Sequence, residues 1–308
     1  MRVFVTGAAG WIGSAVVPEL LGAGHSVVGL ARSDASAAAL AAAGAEVIAG
    51  DLDDLDRLGR AAADCDGVIH LAFKHDIAFS GNFEGAAQAD RRAIDTFGDA
   101  LAGTGRPFVI ASGTAGLVPG GLATEADGLE ATAGAVHGPA VRHANALATL
   151  ALADRGVRSS VLRLPPTVHG DGDNGFIAMT VAVARDKGAA AYIGDGANRW
   201  PAVHRLDAAR LFRLAFEDAP AGSVLHAVAD EGVPMRAIAE VIGRHLDVPV
   251  ISTPPEAAAD HFGWLAAFLG LDTPATSELT RKLLGWQPEH LGLIDDLEQG
   301  HYFRPRAN

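Results

Sequence analysis

The chain alternates between short runs of apolar residues and longer stretches in which apolar residues recur every three or four positions. The first apolar run, residues 2–6, is followed by a glycine-rich turn and an amphipathic stretch at 11–23. The same order recurs and predicts strands at 26–30, 46–49, 67–71, 107–111 and 158–164, with helices at 35–43, 55–63, 83–102 and 136–155. Strands that alternate with helices join as parallel neighbours, so the first 165 residues are expected to form a doubly wound parallel α/β sheet.

This alternation ends at Pro165-Pro166. Beyond it the sequence predicts a loop rich in glycine and aspartate at 170–175, a helix, a short strand near Tyr192 and a second loop at 194–201. A helix at 206–217 and an apolar strand at 223–229 are expected to return to the sheet. The remainder, 234–308, is expected to be mostly helical, with apolar anchors at Phe262, Trp264, Phe268 and Trp286. The chain is thus divided into a sheet-forming domain, 1–165 with about 205–230, and a smaller, mostly helical part, 166–204 with 231–308.

Three glycines spaced three apart follow the first predicted strand, in the stretch Thr6-Gly7-Ala8-Ala9-Gly10-Trp11-Ile12-Gly13. In such a turn the first glycine permits the tight bend, the second lets the backbone approach a pyrophosphate, and the third lets the helix pack closely against the strand. The start of the following helix then faces the phosphates. Because the triplet heads a βαβ unit, we predict a dinucleotide site that includes Ala9, Trp11 and Ile12 with the three glycines.

The end of the second strand selects between the two nicotinamide cofactors, because it meets the adenosine ribose. An acidic residue there favours NAD, whereas an arginine accommodates the 2′-phosphate of NADP. This chain has Arg32 and Ser33 at that position and no acid at the tip. We therefore expect NADP(H), with Arg32 binding the phosphate and Ser33 adding a hydroxyl donor.

Composition narrows the class of protein. Apolar residues make up 49% of the 308 residues and charged residues 20%, which excludes a disordered chain. The formal charge of −13 disfavours nucleic acid and anionic lipid as partners. No apolar run approaches the ~18 residues of a membrane span. The single cysteine, Cys65, suits a cytosolic protein, and the histidines lack the spacing of a metal site, so no metal is expected.

Several further motifs resemble those of the extended or atypical short-chain dehydrogenase/reductase superfamily, which includes nucleotide-sugar epimerase-like and 3β-hydroxysteroid-dehydrogenase-like enzymes. Besides the glycine turn, they are Gly50-Asp51-Leu52, Val68-Ile69-His70-Leu71-Ala72, Ala111-Ser112-Gly113-Thr114, and Leu162-Arg163-Leu164-Pro165 with Val168-His169-Gly170. The resemblance covers nearly the whole chain and implies a Rossmann domain followed by a substrate-binding part. It also makes a homodimer an expectation, since dimers are common in that superfamily.

The resemblance assigns roles to individual residues. Asp51 and Leu52 would flank the adenine, and His70, Leu71 and Ala72 would line the cofactor ribose. Pro165 to Val168 would lie against the nicotinamide, and Phe73 and Ser112 complete the predicted cofactor-binding set. Thr114 matches the hydroxyl residue that follows the fifth strand in the superfamily's active site, with Ser112 as the next best match.

The superfamily's Tyr-x-x-x-Lys pair has no counterpart in this sequence. The only tyrosines are Tyr192 and Tyr302, and the only lysines are Lys74, Lys187 and Lys282. The helix that should carry the pair reads His137-Gly-Pro-Ala-Val-Arg142-His143, and the guanidinium of Arg142 does not titrate near neutral pH. A substitute proton donor is therefore needed. The candidates are His137, His169, His204 and Tyr192, of which Tyr192 and His204 are favoured because the segment around them is dense in polar and aromatic residues.

The sequence leaves three functions open. The favoured one is an NADPH-dependent oxidoreductase in which Thr114 hydrogen-bonds the carbonyl of a small substrate. The alternatives are a redox-inactive sensor that binds a dinucleotide, and an epimerase or isomerase with retained cofactor. Phe176, Trp200, Phe262 and Trp264 suggest a partly apolar or aromatic substrate pocket.

Overall fold

The computed structural model of the chain describes residues 1–130 and 139–304. Seven strands form one parallel sheet in the order β10-β6-β5-β4-β1-β2-β3. These strands are β1 Arg2–Thr6, β2 Ser26–Ala31, β3 Glu46–Ala49, β4 Gly67–His70, β5 Pro107–Gly113, β6 Arg158–Leu164 and β10 Ser223–His226. The chain reverses direction across the sheet between β1 and β4, and such a switch point is where ligands bind in open α/β sheets. The predicted doubly wound Rossmann fold is confirmed.

Helices cover both faces of this sheet. They are α1 Gly13–Gly22, α2 Asp34–Ala42, α3 Leu55–Ala63, α4 His75–Phe79, α5 Phe83–Leu101, α6 Pro139–Ala151 and α8 Arg205–Asp218. One face packs α1, α2 and α8 against the strands through a buried cluster that includes Val16, Leu20 and Phe212. The other face packs α3, α5 and α6 through a second cluster centred on Leu58 and Phe97. Burial of both faces explains why the central strands β1, β4 and β5 are mostly apolar runs rather than alternating ones.

Two small sheets lie outside the main one. The first contains β7 Thr167–His169, β9 Arg199–His204 and β11 Asp230–Pro234, and the second pairs β8 Ala190–Ile193 with β12 Val250–Thr253. They pack with helices through a third cluster that includes Ile177, Ile238 and Phe262. These helices are α7 Phe176–Lys187, α9 Met235–Leu246, α10 Ala258–Phe262, α11 Ala266–Leu269 and α13 Leu293–Glu298, while α12 Glu278–Leu284 packs against β10 and α8 at the edge of the main sheet. Among the described helices, none combines the length and the apolar character that crossing a membrane requires.

Most predicted elements of the first half are found within one or two residues of their expected ends, and the differences lie mainly in the second half. The stretch 194–201 is not all loop, because Arg199–His204 forms β9 between β7 and β11. The predicted strand at 223–229 ends at His226. The helix predicted at 136–155 is described from Pro139 to Ala151 and continues as a 3₁₀ turn to Arg155. The expected anchor Trp264 is 52% exposed, whereas Phe262 and Trp286 are buried.

Candidate cofactor and active site

The glycine turn between β1 and α1 is shaped by close backbone packing. Gly7 has a φ of 67°, and a Cβ there would lie 2.7 Å from the backbone nitrogen of Ala72. A Cβ on Gly13 would lie 2.1 Å from the carbonyl oxygen of Gly7. Gly10, by contrast, is exposed, and its nitrogen donates to the carbonyl oxygen of Gly7 (2.9 Å). The turn therefore packs against β4 on its inner side and leaves its outer side open for a phosphate group to approach.

The start of α1 adds the electrostatic part of this site. The first backbone N–H groups of a helix have no partner within the helix and carry a partial positive charge. Ile12 precedes the first helical residue, and none of its side-chain atoms caps the helix. The indole nitrogen of Trp11 donates to the carbonyl oxygen of Val168 (2.8 Å), and the guanidinium of Arg205 lies 4.5 Å from the Trp11 ring centroid. Trp11 thus fixes the turn against β7, and the residues fit a bound pyrophosphate.

A cleft of about 380 Å³ opens at the ends of β2 and β3. Its lining residues are Ala31, Arg32, Ser33, Asp34, Ala37, Ala49, Gly50, Asp51 and Asp54. The side chain of Arg32 is 70% exposed and lies 3.6 Å from a carboxylate oxygen of Asp76. The Ser33 hydroxyl accepts from the backbone nitrogen of Ser36 (3.2 Å) and so caps α2. Arg32 and Ser33 are therefore together on the rim of this cleft.

Asp51 and Leu52 have different surroundings. Asp51 is exposed and its carboxylate accepts from the backbone nitrogen of Asp53 (2.8 Å). The Leu52 side chain is only 5% exposed and packs into the core cluster beneath the sheet. Leu52 could therefore present only its backbone to an adenine ring, whereas Asp51 lines the cleft with its side chain.

A buried hydrogen-bonded chain supports the carboxyl ends of β1 and β4. The Thr6 hydroxyl accepts from the backbone nitrogen of Ala72 (3.3 Å) and lies 2.6 Å from Nδ1 of His70. Nε2 of His70 lies 3.1 Å from Oδ1 of Asp90, and the Asn145 side chain donates to Oδ2 (2.8 Å). Burial acts to raise the pKa of Asp90, but the hydrogen bonds from His70 and Asn145 and nearby positive charge outweigh it and hold that pKa below its usual value.

This hydrogen-bonded chain of side chains supports Leu71, Ala72 and Phe73, and its own polar atoms are buried. All three residues are partly exposed at the carboxyl end of β4. His70, in contrast, is 2% exposed and its ring is turned into the protein against Phe97. His70 therefore supports the end of β4 from inside the protein. Leu71, Ala72 and Phe73 are the residues that reach the surface there.

Thr114 lies just beyond the end of β5, where its nitrogen donates to the carbonyl oxygen of Leu164 (3.0 Å). The side chain is 1% exposed, and among residues 1–130 and 139–304 its hydroxyl has no hydrogen-bond partner. Ser112 is also buried, one residue before the strand ends. Because buried hydroxyls in proteins are normally paired, an unpaired one at this edge of the sheet is a candidate for contact with a ligand. Pro165 follows β6 and Val168 lies in β7, on the neighbouring strand ends.

The two favoured proton donors are placed apart from Thr114. Within residues 1–130 and 139–304, no hydrogen bond or ring contact joins Thr114, Tyr192 and His204 to one another. Tyr192 lies in β8, 5.6 Å from the guanidinium of Arg236. His137 lies outside the described residues.

His204 belongs to a cluster of histidines instead. Its Nδ1 accepts from the backbone nitrogen of Leu206 and caps α8, and its ring stacks on His290 with centroids 4.6 Å apart. His169 is fully buried, with Nδ1 2.9 Å from Asp296 and its ring 5.5 Å from that of His204. Burial, together with His169 and His290, lowers the pKa of His204 to about 4. At neutral pH this imidazole carries no proton that it can readily give to a substrate.

Of the four aromatic residues predicted to line a substrate pocket, only some are exposed to solvent. Trp200 and Phe262 are 1% and 4% exposed and belong to the core. Phe176 contacts Trp200, Trp264 and Phe268, with centroids 5.1 to 6.3 Å apart. Within the predicted set, the exposed Trp264 and the partly exposed Phe176 are therefore the residues that a ligand could reach.

Sequence reasoning missed the partners that hold the site. Asp90 and Asn145 lie on α5 and α6, in the middle of amphipathic patterns where polar residues are expected to face water. Asp90 carries a usable signal, because it falls between Ala89 and Ala93 on the apolar face of α5. No signal in the sequence pairs it with His70, since 20 residues separate them.

Comparison with known proteins agrees with this arrangement. Residues 3–227 match the model of the NAD dependent epimerase/dehydratase family. The chain belongs to this family. Over 98% of its length it is 51% identical to an uncharacterised protein of Schizosaccharomyces pombe, covering 100% of that protein, and 44% identical to one of Saccharomyces cerevisiae, covering 99% of it.

More distant relatives have known names. A dTDP-glucose 4,6-dehydratase of Streptomyces venezuelae, solved with NAD bound, has a TM-score of 0.76 at 20% identity, with 98% of this chain and 97% of that chain covered. At this identity the likeness shows a shared fold. A shorter match, 38% identical over 92 residues, is to a 2-alkyl-3-oxoalkanoate reductase of Shewanella oneidensis, covering 28% of this chain and 23% of that protein. Extended short-chain dehydrogenase/reductase architecture is thereby confirmed.

Proposed function

We propose that this protein is an NADPH-dependent oxidoreductase that reduces the carbonyl group of a small, partly apolar substrate. The observation that carries the proposal is the buried, unpaired hydroxyl of Thr114 at the sheet edge where the nicotinamide end of a dinucleotide would lie. When bound, the nicotinamide supplies hydride chemistry. The chain's own contribution is to hold the dinucleotide at the glycine turn, and to orient and polarise the carbonyl through Thr114.

The preference for NADPH rests on Arg32 and Ser33, which share the rim of the cleft at the end of β2. A planar guanidinium on an exposed side chain suits a phosphate monoester, and Ser33 lines the same cleft. Asp34 and Asp51 line the same cleft, so the discrimination depends on whether Arg32 outweighs them at the 2′-position. Residues 1–165 with about 205–230 are proposed to bind this cofactor, and 166–204 with 231–308 the substrate. A cytosolic location and a homodimer remain predictions.

The proton that completes the reduction is assigned to His137, which belongs to the stretch of sequence where the resemblance expects the superfamily's tyrosine and lysine. His204 is a weaker candidate because its pKa is lowered. Tyr192 is weaker because it belongs to the small β8–β12 sheet, where its ring lies against Arg236 of α9. With His137 as the donor, His137→Gln is expected to shift the pH dependence of turnover, while His204→Asn leaves it unchanged.

The first experiment is a fluorescence titration of the protein with NADPH and with NADH. NADPH is expected to bind at least ~10-fold more tightly, a difference of about 1.4 kcal/mol. Arg32→Ala is expected to remove this preference and leave NADH affinity unchanged, whereas Arg60→Ala, on the exposed end of α3, serves as the charge-matched control. Equal affinity for both cofactors in the native protein would reject NADPH, and failure to bind either would reject the oxidoreductase.

A screen of ketones and aldehydes with the preferred cofactor then tests turnover. Thr114→Val removes the hydroxyl at nearly constant volume and is expected to lower kcat by ~100-fold, the usual effect of deleting one such donor. Thr149→Val removes another buried hydroxyl, which donates to the backbone carbonyl oxygen of Asn145, and is the control. A fall of less than about threefold in Thr114→Val would show that another group polarises the carbonyl. Tight cofactor binding with no turnover of any carbonyl would favour the sensor alternative.

A further inference from the structure

Arg142 stands at the same edge of the sheet as Thr114. It lies in the first turn of α6, and its Nη2 donates to the carbonyl oxygen of Ala111 in β5 (3.3 Å). Its guanidinium lies 4.3 Å from the centroid of the Phe73 ring, just beyond β4. Thr114 follows Ala111 by three residues, which is at most about 10 Å of chain. The cation therefore sits between the carboxyl ends of two central strands, where ligands of such sheets bind.

This guanidinium is incompletely paired. Its Nε is buried and has no hydrogen-bond partner in the part of the chain that the structure describes, and Nη2 donates to the carbonyl oxygen of Ala111. Burial lowers the pKa of Arg142, while the charge of Asp90 acts in the opposite direction. Both oxygens of Asp90 are already taken by His70 and Asn145. In the described part of the chain, Arg142 forms no ion pair with a carboxylate.

A half-buried guanidinium whose buried Nε lacks a partner among the described residues is costly unless an anion pairs with it. Its fork geometry matches a carboxylate, with two parallel N–H to O bonds. Phe73 covers one face of the group, so an acceptor would pair with the N–H groups at its edge. The chain as a whole carries a charge of −13, so the absence of an acidic partner for this residue is not due to a shortage of acidic side chains.

We propose that Arg142 binds a carboxylate of the substrate, and that the substrate is therefore an oxo acid whose ketone faces Thr114 while its acid group faces Arg142. The inference rests on the proposed function for the ketone, but the carboxylate contact stands on Arg142 alone. Arg142 is thereby a specificity-determining residue. Neutral carbonyl compounds of the same shape lack the partner that this cation requires and are poor substrates.

Binding of a non-reactive probe tests the contact without turnover. Isothermal titration of the full chain with 4-phenylbutanoate and with 4-phenylbutanamide is expected to give at least ~30-fold tighter binding of the acid. Arg142→Gln is expected to abolish this difference, Arg142→Lys to restore part of it, and Arg91→Gln, an exposed change of the same charge on α5, to leave it intact. Thermal unfolding of each variant shows whether it folds, and Arg142→Lys keeps the test decisive if Arg142→Gln does not. Equal affinity for acid and amide, or no binding of either at millimolar concentration, overturns the proposal.

Turnover and cofactor binding provide the second readout. With 2-oxo-4-phenylbutanoate and its ethyl ester, kcat/KM is expected to favour the acid ~100-fold, and Arg142→Gln to remove that preference mainly through KM. NADPH affinity is expected to stay within about twofold in the same variant. If Arg142→Gln instead weakens NADPH binding tenfold and leaves the acid-to-ester ratio unchanged, Arg142 holds the cofactor ribose and the proposal fails. Absence of any NADPH binding in the native protein rejects the oxidoreductase, whereas the acid-to-amide comparison still reports on Arg142.

Discussion

Single atoms decide what the glycine turn accepts. A Cβ on Gly13 would lie 2.1 Å from the Gly7 carbonyl oxygen and 2.7 Å from the Ala8 backbone, distances that only a shift of the turn can relieve. Gly22, at the other end of the same helix, has nothing within 4 Å of its hypothetical Cβ. The same substitution at these two positions therefore separates the need for close packing from the general effect of alanine in a helix.

Gly13→Ala is expected to displace the start of α1 from the turn and to weaken NADPH binding by at least ~30-fold, about 2 kcal/mol. Gly22→Ala is expected to leave binding unchanged and to stabilise the fold by up to about 1 kcal/mol, because alanine loses less backbone entropy. Fluorescence titration and urea unfolding measure the two effects. Unchanged affinity in a folded Gly13→Ala variant contradicts this account of the turn.

At the scale of elements, one polar chain joins four of them. Thr6 of β1, His70 of β4, Asp90 of α5 and Asn145 of α6 are connected inside an otherwise apolar core cluster. Each buried polar atom in it has a partner, which is the condition under which such a network stabilises a fold. This hydrogen-bonded chain of side chains therefore fixes the position of α5 and α6 against the ends of β1 and β4. Phe73 follows β4 and Arg142 lies on α6, so their contact depends on that position.

Asp90→Asn keeps the shape of the side chain and replaces one acceptor by a donor that faces Asn145. It is expected to lower the free energy of unfolding by about 1–3 kcal/mol. Asp95→Asn lies on the exposed side of the same helix, paired with Arg91, and is expected to cost less than about 0.5 kcal/mol. Urea denaturation of both variants makes the comparison, and equal small losses would show that the network contributes nothing.

The elements also differ in how far the sequence predicts them. The sequence predicts β1, β2, β4 and β5 because each contains a short apolar run flanked by turn residues, a local signal that burial in the sheet produces. It predicts a loop over the first half of β9, residues 199–201, because the partners of that strand, β7 and β11, lie about 30 residues away on either side. Pairing between distant segments is decided by the folded chain, so a local pattern does not reveal it.

At the scale of the molecule, buried histidines make stability depend on pH. The pKa of His204 is lowered to about 4, chiefly by burial and then by His169 and His290, while Asp296 and Asp207 act against this. The pKa of fully buried His226 is also lowered to about 4, chiefly by burial, with Arg163 lowering it further and Glu125 and Asp127 opposing. Both pKa values lie below the 6.5 of a free imidazole, so the unfolded chain binds more protons than the folded chain between about pH 4 and 6.5.

The free energy of unfolding is therefore expected to be highest above pH 6.5 and to fall as pH falls toward 4. At pH 5 the loss is about 2 kcal/mol from His226, and smaller from the less buried His204. His204→Asn keeps an acceptor for the start of α8 and cannot titrate, so its stability is expected to fall less over this range. Urea unfolding at pH 7.5, 6 and 5 provides the measurement, and parallel curves for both proteins contradict the assignment to His204.

The sequence by itself determined the doubly wound sheet and the glycine turn, because both are encoded within 30 residues by burial and by backbone sterics. It also placed Arg32 directly after β2 and Thr114 directly after β5. The tertiary structure alone decided that His204 stacks on His290, that His70 meets Asp90, and that Arg142 lies against Phe73 with no acidic partner among the described residues. These contacts join residues 20 to 86 positions apart, where packing of the whole chain, and not local pattern, determines which side chains meet.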